Sequence, residues 1–277
     1  MIVFPQAKIN LGLNVVERRP DGYHNLETVF YPVPLSDALE LNVMDADFPS
    51  AVDCDLKVTG IDVEGDEQLN LVVKAYRLLK QEFPQLPRVH AHLHKAIPTQ
   101  AGMGGGSSDA TAMLCALNDW HKLGLSRQQL RERAVRLGAD CAFFVDSMPA
   151  YAEGVGERLQ PVSLSLAGWH LAVVRPDIPV STREAFALVR PHRPAVNCGE
   201  VVRRPVEEWR NLLVNDFEQS VFAQYPQIGQ VKEQLYQLGA VYSAMTGSGS
   251  AVFGLFREMV NLEPAFAGMY TRMLLLQ

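Results

Sequence analysis

The chain has 277 residues, of which 48% are hydrophobic and 20% charged, with a net charge of −6. By length this predicts two domains, and by composition an ordinary globular chain with a sizeable core. The acidic balance, with no basic block beyond short pairs such as Arg18-Arg19 and Arg203-Arg204, excludes a nucleic-acid partner. No apolar run nears the roughly eighteen residues of a membrane helix, so no membrane partner is expected.

The opening residues Met1 to Lys8 lack the basic lead and apolar core of a secretory signal. Cys54, Cys115, Cys141 and Cys198 are scattered without C-x-x-C spacing and read as reduced thiols. The expected location is therefore cytoplasmic. Residues 2–16 read as a strand, and strict alternation puts Lys8 and Asn10 on one face, either solvated or turned to a ligand. Pro20-Asp21-Gly22 is a turn in which proline fixes φ and glycine supplies the left-handed position. Tyr23 and His24 follow it, suited to stacking and edge hydrogen bonds with a planar ligand, or equally to packing the hairpin. Residues 26–32 return as a strand.

Alternating strands are predicted over 39–43 and 54–58, then an acidic loop over 62–68. Apolar residues at helical spacing predict a helix over 71–83, with Asn70 as its cap. His90, His92 and His94 alternate along a strand at 89–95. Imidazoles bind metals, but no motif places a fourth ligand, and the strand reads as plain polar-out alternation.

This strand leads into Pro98-Thr99-Gln100-Ala101-Gly102-Met103-Gly104-Gly105-Gly106-Ser107-Ser108-Asp109, followed by an apolar run. Glycines allow close backbone approach, and a helix starting at Ser107 offers free N–H groups and a positive dipole end. The pair makes an anion site, or else a flexible turn. The helix is predicted over 107–123. A capping box at Ser126 opens another to Leu137, stopped by Gly138. Asp140 then stands in an apolar surround, where a carboxylate needs a partner or a task; capping a short helix is the plainer role.

Residues 151–157 read as a strand and tight turn, and the character loosens over 159–167, which predicts domains 1–160 and 161–277. A strand at 169–175 precedes a capping box at Ser181 to Glu184, opening a helix that holds Phe186. Residues 191–205 read as irregular. Helices at 206–214, 216–223 and 228–238 lead to a second glycine element, Thr246-Gly247-Ser248-Gly249-Ser250, between strands 242–245 and 251–256. A strand at 269–276 closes the chain.

Two nucleotide motifs fail. No lysine follows the glycines as a Walker loop requires, and Ser107 stands where a Rossmann fingerprint needs a third glycine. What the loop does resemble is the central ATP-binding motif of the GHMP kinase superfamily. Ala7-Lys8-Ile9-Asn10-Leu11 resembles its first motif, and Thr246 to Phe253 its third. Within the family, residues 19–26, 137–140 and 152–157 resemble a branch acting on a small-molecule substrate that carries a cytidine diphosphate group. Gln6 between Pro5 and Ala7, and Cys141-Ala142 after the aspartate, depart from the pattern in local loop shape.

The resemblance implies an α+β two-domain fold: a mixed-sheet N-terminal domain, a ferredoxin-like C-terminal domain and the active site between them. It implies ATP as cosubstrate with Mg²⁺. Asp140 would take the proton of the substrate hydroxyl, and Lys8 would be its cationic partner. Pro98, Gly102, Met103, Gly104, Gly105, Gly106, Ser107 and Ser108 would hold the ATP phosphates, with Asp109 structural in the helix's first turn. Asn70, Leu71 and Lys95 would shape the adenine and ribose pocket. Tyr23 and Phe186 would stack on cytosine with His24 on its edge. Asn10, Val155 and Thr182 would lie near the rest of the substrate. Another kinase of the superfamily, or a nucleotide-binding protein without catalysis, are the rivals. The first lacks a reason for aromatics around a base, and the second for keeping both Lys8 and Asp140.

Overall fold

The structure is a computed structural model that describes residues 1–186 and 188–277. The first half of the chain runs β1 (Ile2–Val3), β2 (Gln6–Arg18), β3 (His24–Ser36), β4 (Ala38–Val43), β5 (Cys54–Gly60), α1 (Leu71–Glu82), β6 (Val89–Lys95), α2 (Gly105–Trp120) and α3 (Arg127–Val135). A 3₁₀ segment, Ala139–Val145, leads to β7 (Ala150–Gly154), β8 (Arg158–Pro161) and β9 (His170–Arg175). Then come α4 (Thr182–Phe186), α5 (Cys198–Val201), a 3₁₀ segment Val206–Asn211, α6 (Phe217–Gln224), α7 (Pro226–Gln237), β10 (Tyr242–Met245), β11 (Val252–Phe256) and β12 (Tyr270–Leu275).

These elements form two compact units that interleave along the chain. One comprises residues 1–7, 35–99 and 104–147, and the other residues 8–34, 100–103 and 148–277.

The first unit is built on a sheet ordered β1-β4-β6-β5, antiparallel except for the parallel β5–β6 pair, so the expected mixed sheet is present. Its inner face (Leu39, Leu41, Leu56, Ala91, Leu93) packs with Val72, Ala75, Tyr76 and Leu79 of α1 and with Met113, Leu114 and Leu117 of α2. Helix α1 starts where the sequence places it, because the Asn70 side chain accepts from the Val72 N–H. The capping box at Ser126 and Gln129 forms as well. The three histidines stand on the outer face of β6. His90 pairs with Asp55, and His92 and His94 both meet the Thr59 hydroxyl. Among the described residues no three His, Cys, Asp or Glu side chains are grouped to hold a metal.

The second unit carries two sheets, β2-β3-β7-β8 and β10-β11-β9-β12. The latter is antiparallel throughout. Read as β12-β9-β11-β10 it has the ferredoxin-like strand order, with α4 to α7 in the first crossover. The second crossover, residues 257–269, holds turns in place of a helix. Phe217, Val221, Ile228, Val231 and Leu235 of α6 and α7 pack with Ala172, Val174, Val252 and Phe256.

Of the two alternatives for strand β2, the solvated face is not the one found. Every residue from Ala7 to Val15 is buried, so the face carrying Lys8, Asn10 and Asn14 is enclosed, not solvated. Part of its edge is closed by residues far along the chain. Leu13 N–H donates to Val214, Asp216 N–H to Leu13, and His192 N–H to Val15. Residues 191–205 are likewise not wholly irregular, since they contain α5, capped by the Asn197 side chain.

Candidate active site

The three motifs singled out in the sequence meet inside the second unit. The Lys8 N–H donates to the Met103 carbonyl at 3.0 Å, which ties β2 to the glycine loop. The Asn10 N–H donates to Thr246 Oγ1 at 3.1 Å, and that hydroxyl lies 3.0 Å from the Gly102 carbonyl. The close approach explains the glycines. Gly102 has φ +70°, and a Cβ there would come within 1.9 Å of the Thr246 carbonyl oxygen. Asn215 fixes the other side of the element, donating to the Met245 and Gly247 carbonyls at 2.8 and 2.9 Å.

Lys8 is 2% exposed. Its ammonium donates to Asn10 Oδ1 at 2.5 Å and lies 4.9 Å from the Phe30 ring centroid, a cation–π distance. Asn10, also 2% exposed, is spent within the protein. Its Oδ1 faces Lys8 and its Nδ2 donates to Thr28 Oγ1 at 3.0 Å. The sequence reading had set Asn10 toward the substrate; here its carboxamide serves the lysine.

In the first unit, α2 begins at Gly105, two residues earlier than predicted, behind a left-handed Gly104 with φ 70° and ψ 17°. Gly106 is exposed, and Gly104, Gly105 and Ser107 are half-buried, so an accessible helix N-terminus is present. Ser108 does not share that accessibility. It is buried, and it lines a cavity of about 380 Å³ with Pro5, Gln6, Ala112 and Cys115.

Lys95 also sits elsewhere than expected. It is buried between Asp37 and Asp109, with 2.6 Å to Asp109 Oδ2. Asp37 accepts in addition from the Ala96 and Ile97 N–H groups at 2.6 and 2.8 Å. A Cβ on Gly105 would stand 3.3 Å from Lys95 Nζ. The ammonium therefore underpins the start of α2 and is enclosed away from an adenine. Burial pushes the Asp109 carboxyl up to about 7; Lys95 opposes this and Asp37 adds to it. Asp109 is thus structural as expected, but through a buried charge cluster and not through the helix dipole alone.

Asp140 lies in the first turn of the 3₁₀ segment and is half-buried, while the five residues after it are buried. The apolar surround is real, while Asp140 itself is only partly enclosed. Thr111 Oγ1 is 2.9 Å from both the Ser107 and the Cys141 carbonyls, linking this segment to the first turn of α2. Asn70 borders a second cavity of the first unit, about 460 Å³, lined by the acidic loop from Asp62 to Glu67 with Val58 and Leu69. Leu71 lies on the loop side of α1, with Cδ1 3.7 Å from a Cβ at Gly106.

The aromatic group differs from the expected pairing. His24 stacks on Phe186 at 4.6 Å and 18°, and Phe186 meets Phe217 edge-on, while Tyr23 is 66% exposed. Burial, with Arg18 second, lowers the His24 pKa, which favours a neutral ring. Thr182 opens α4 with its hydroxyl 3.4 Å from Ser248 Oγ, and the Val155 N–H donates to Glu157 at 2.7 Å. Thr28, Asp37 and Asn215 were absent from the sequence reading. Thr28 acts across 16 and 18 positions, and Asp37 and Asn215 across 30 or more, separations that leave no local pattern.

Over residues 70–151 the chain matches the GHMP kinases N terminal domain, and over residues 199–266 the GHMP kinases C terminal family. It is 56% identical to the 4-diphosphocytidyl-2-C-methyl-D-erythritol kinase of Bacteroides fragilis, across 92% of each chain. Identity to that of Bacteroides thetaiotaomicron is 54% at the same coverage. A solved structure of 4-(cytidine 5'-diphospho)-2C-methyl-D-erythritol kinase matches with a TM-score of 0.83 and 31% identity over 99% of both chains. Homoserine kinase from Cytophaga hutchinsonii matches at 0.68 and 15% identity, over 97% of this chain and 93% of that one, a likeness of fold alone.

Proposed function

Because the chain belongs to the GHMP kinases, and within them to the 4-diphosphocytidyl-2-C-methyl-D-erythritol kinases, we propose that Asp140 and Lys8 carry out that group's phosphoryl transfer. The enzyme moves the γ-phosphoryl group of ATP to the 2-hydroxyl of 4-diphosphocytidyl-2-C-methyl-D-erythritol, giving the 2-phosphate and ADP in non-mevalonate isoprenoid synthesis.

Phosphoryl transfer depends on positioning and on charge stabilisation more than on covalent help from the protein. In this reading Asp140 accepts the hydroxyl proton and Lys8 offsets the charge that develops on the oxygen. The amides of Gly104, Gly105 and Gly106 and the N-terminus of α2 receive the phosphates. Asn70, Leu71 and the cavity beside them take the adenosine. Tyr23 and the His24–Phe186 stack offer aromatic faces to the cytosine, and Val155 and Thr182 lie toward the remainder of the substrate. Mg²⁺ would enter on the ATP phosphates and shield their charge. The loop's one carboxylate, Asp109, is committed to Lys95, which leaves the Ser107 hydroxyl to accept from an ion that keeps its own waters on the ATP phosphates. Among the described residues no helix is long and apolar enough to cross a membrane, and we place the enzyme in the cytoplasm.

The observation that supports this reading most is the meeting of Lys8, Gly102–Met103 and Thr246, three motifs remote in sequence, in one hydrogen-bonded group. The test is ADP release with ATP and Mg²⁺ against the cytidylyl sugar alcohol, homoserine or mevalonate. Turnover with the first is expected, and its absence overturns the assignment. Asp140→Asn is expected to lose about 10²–10⁴-fold in kcat with ATP binding within about twofold of wild type. A variant at wild-type rate would remove Asp140 from the chemistry.

A further inference from the structure

Thr28 is buried in β3, 2% exposed, and no role has so far been given to it. Its hydroxyl carries one proton and has two neighbours. One is the Gly12 carbonyl at 2.5 Å, which can only accept. The other is Asn10 Nδ2 at 3.0 Å, which can only donate. The hydroxyl proton therefore goes to Gly12, and the oxygen receives the Asn10 amide. That assignment settles which end of the carboxamide points at Thr28, and so which end points at Lys8.

An asparagine side chain is nearly symmetric in shape but not in charge. Turned one way, Asn10 gives Lys8 an oxygen; turned the other way, it gives an ammonium group two N–H donors and repels it. Thr246 does not make this choice, since its hydroxyl lies nearer the Gly102 carbonyl at 3.0 Å than Asn10 Oδ1 at 3.3 Å, and it already receives the Asn10 N–H.

We propose that Thr28 is a positioning residue for the phosphoryl-transfer reaction. By donating to Gly12 and accepting from Asn10, it orients the carboxamide that holds the Lys8 ammonium. This rests on the reading of Lys8 as the catalytic cation. The hydroxyl matters, and its methyl group does not.

Thr28→Val keeps the shape and removes the hydroxyl, whereas Thr28→Ser keeps the hydroxyl. Thr28→Val is expected to lower kcat roughly tenfold, the effect of one misdirected hydrogen bond to a charged group, with KM for ATP within about twofold of wild type. Thr28→Ser is expected to restore kcat to within about twofold. Wild-type kcat in Thr28→Val, or an equal loss in both variants, overturns the positioning role. Should Thr28→Val fail to fold, the wild-type protein supplies the measurement. The Asn10 side-chain amide, assigned by its disappearance in Asn10→Asp, is expected to exchange its protons far more slowly than surface asparagines, and exchange at the surface rate overturns the proposal. Lys8→Ala separates the two ideas. If that variant keeps wild-type kcat, the reading of Lys8 fails. If it is inactive while Thr28→Val is fully active, only the role of Thr28 fails.

Discussion

Asp109 shows how one residue can make a loop's support sensitive to pH. Two carboxylates share one ammonium in a buried cluster, and Asp109 Oδ1 has no hydrogen-bond partner there. Its carboxyl is pushed up to about 7 from an ordinary 3.8, so the folded state binds this proton more tightly than the unfolded chain does. The resulting stabilisation is complete below about pH 3.8 and is lost as pH rises through about 7. Asp109→Asn mimics the protonated form at every pH. It is expected to melt a few degrees above wild type at pH 8, with the gap narrowed at pH 5 and closed only below about pH 3.8. A gap equal at both values would mean that the proton is not held at Asp109. Lys95 explains why the position is acidic at all. The family resemblance implies a nucleotide contact for it, but β6 turns it inward to face Asp37 and Asp109.

Among the elements, the glycine loop is held by close backbone contact. Gly102→Ala places a methyl group against the Thr246 carbonyl at a left-handed φ, so the loop or the Thr246 turn must move. Gly124 has nearly the same φ, +75°, and open space around it. The melting temperature of Gly102→Ala is expected to fall at least twice as far as that of Gly124→Ala, and its KM for ATP to rise while Gly124→Ala keeps the wild-type value. Equal effects would mean that backbone strain alone decides both. The contrast also marks what the sequence could disclose. Helix α1 was legible from its period and its Asn70 cap, the Ser126 capping box from spacing, and the hairpin from Pro20-Asp21-Gly22, because each depends on neighbours a few residues apart. The enclosure of β2 was not legible, since Val214, Asp216 and His192 close its edge from nearly two hundred positions away. Helix α5 escaped for another reason. It is a single turn set among arginines and prolines, too short for a period to register.

For the molecule as a whole, we propose domain limits of 1–160 and 161–277. Sheet β10-β11-β9-β12 and its helices lie wholly in the second span, although Leu13 and Val15 of β2 join its apolar cluster. A fragment of residues 161–277 is expected to show β-sheet circular dichroism and a cooperative melt below that of the intact chain. A featureless, non-cooperative melt would overturn that division. The interleaving of the two units has a consequence for synthesis on the ribosome. The chain passes from one unit to the other after Ala7, Pro34, Thr99, Met103 and Ser147. All residues of the first unit have been made once Ser147 leaves the exit tunnel, and its core can close. Residues 8–34, made far earlier, must wait for β7, β8 and the Thr246 turn. The Thr246 turn is made 99 residues after Ser147, so that delay is about 5–20 s at ordinary elongation rates. The strand carrying Lys8 is made well before the residues that enclose it. It is the stretch of this enzyme that a nascent-chain chaperone has most reason to hold.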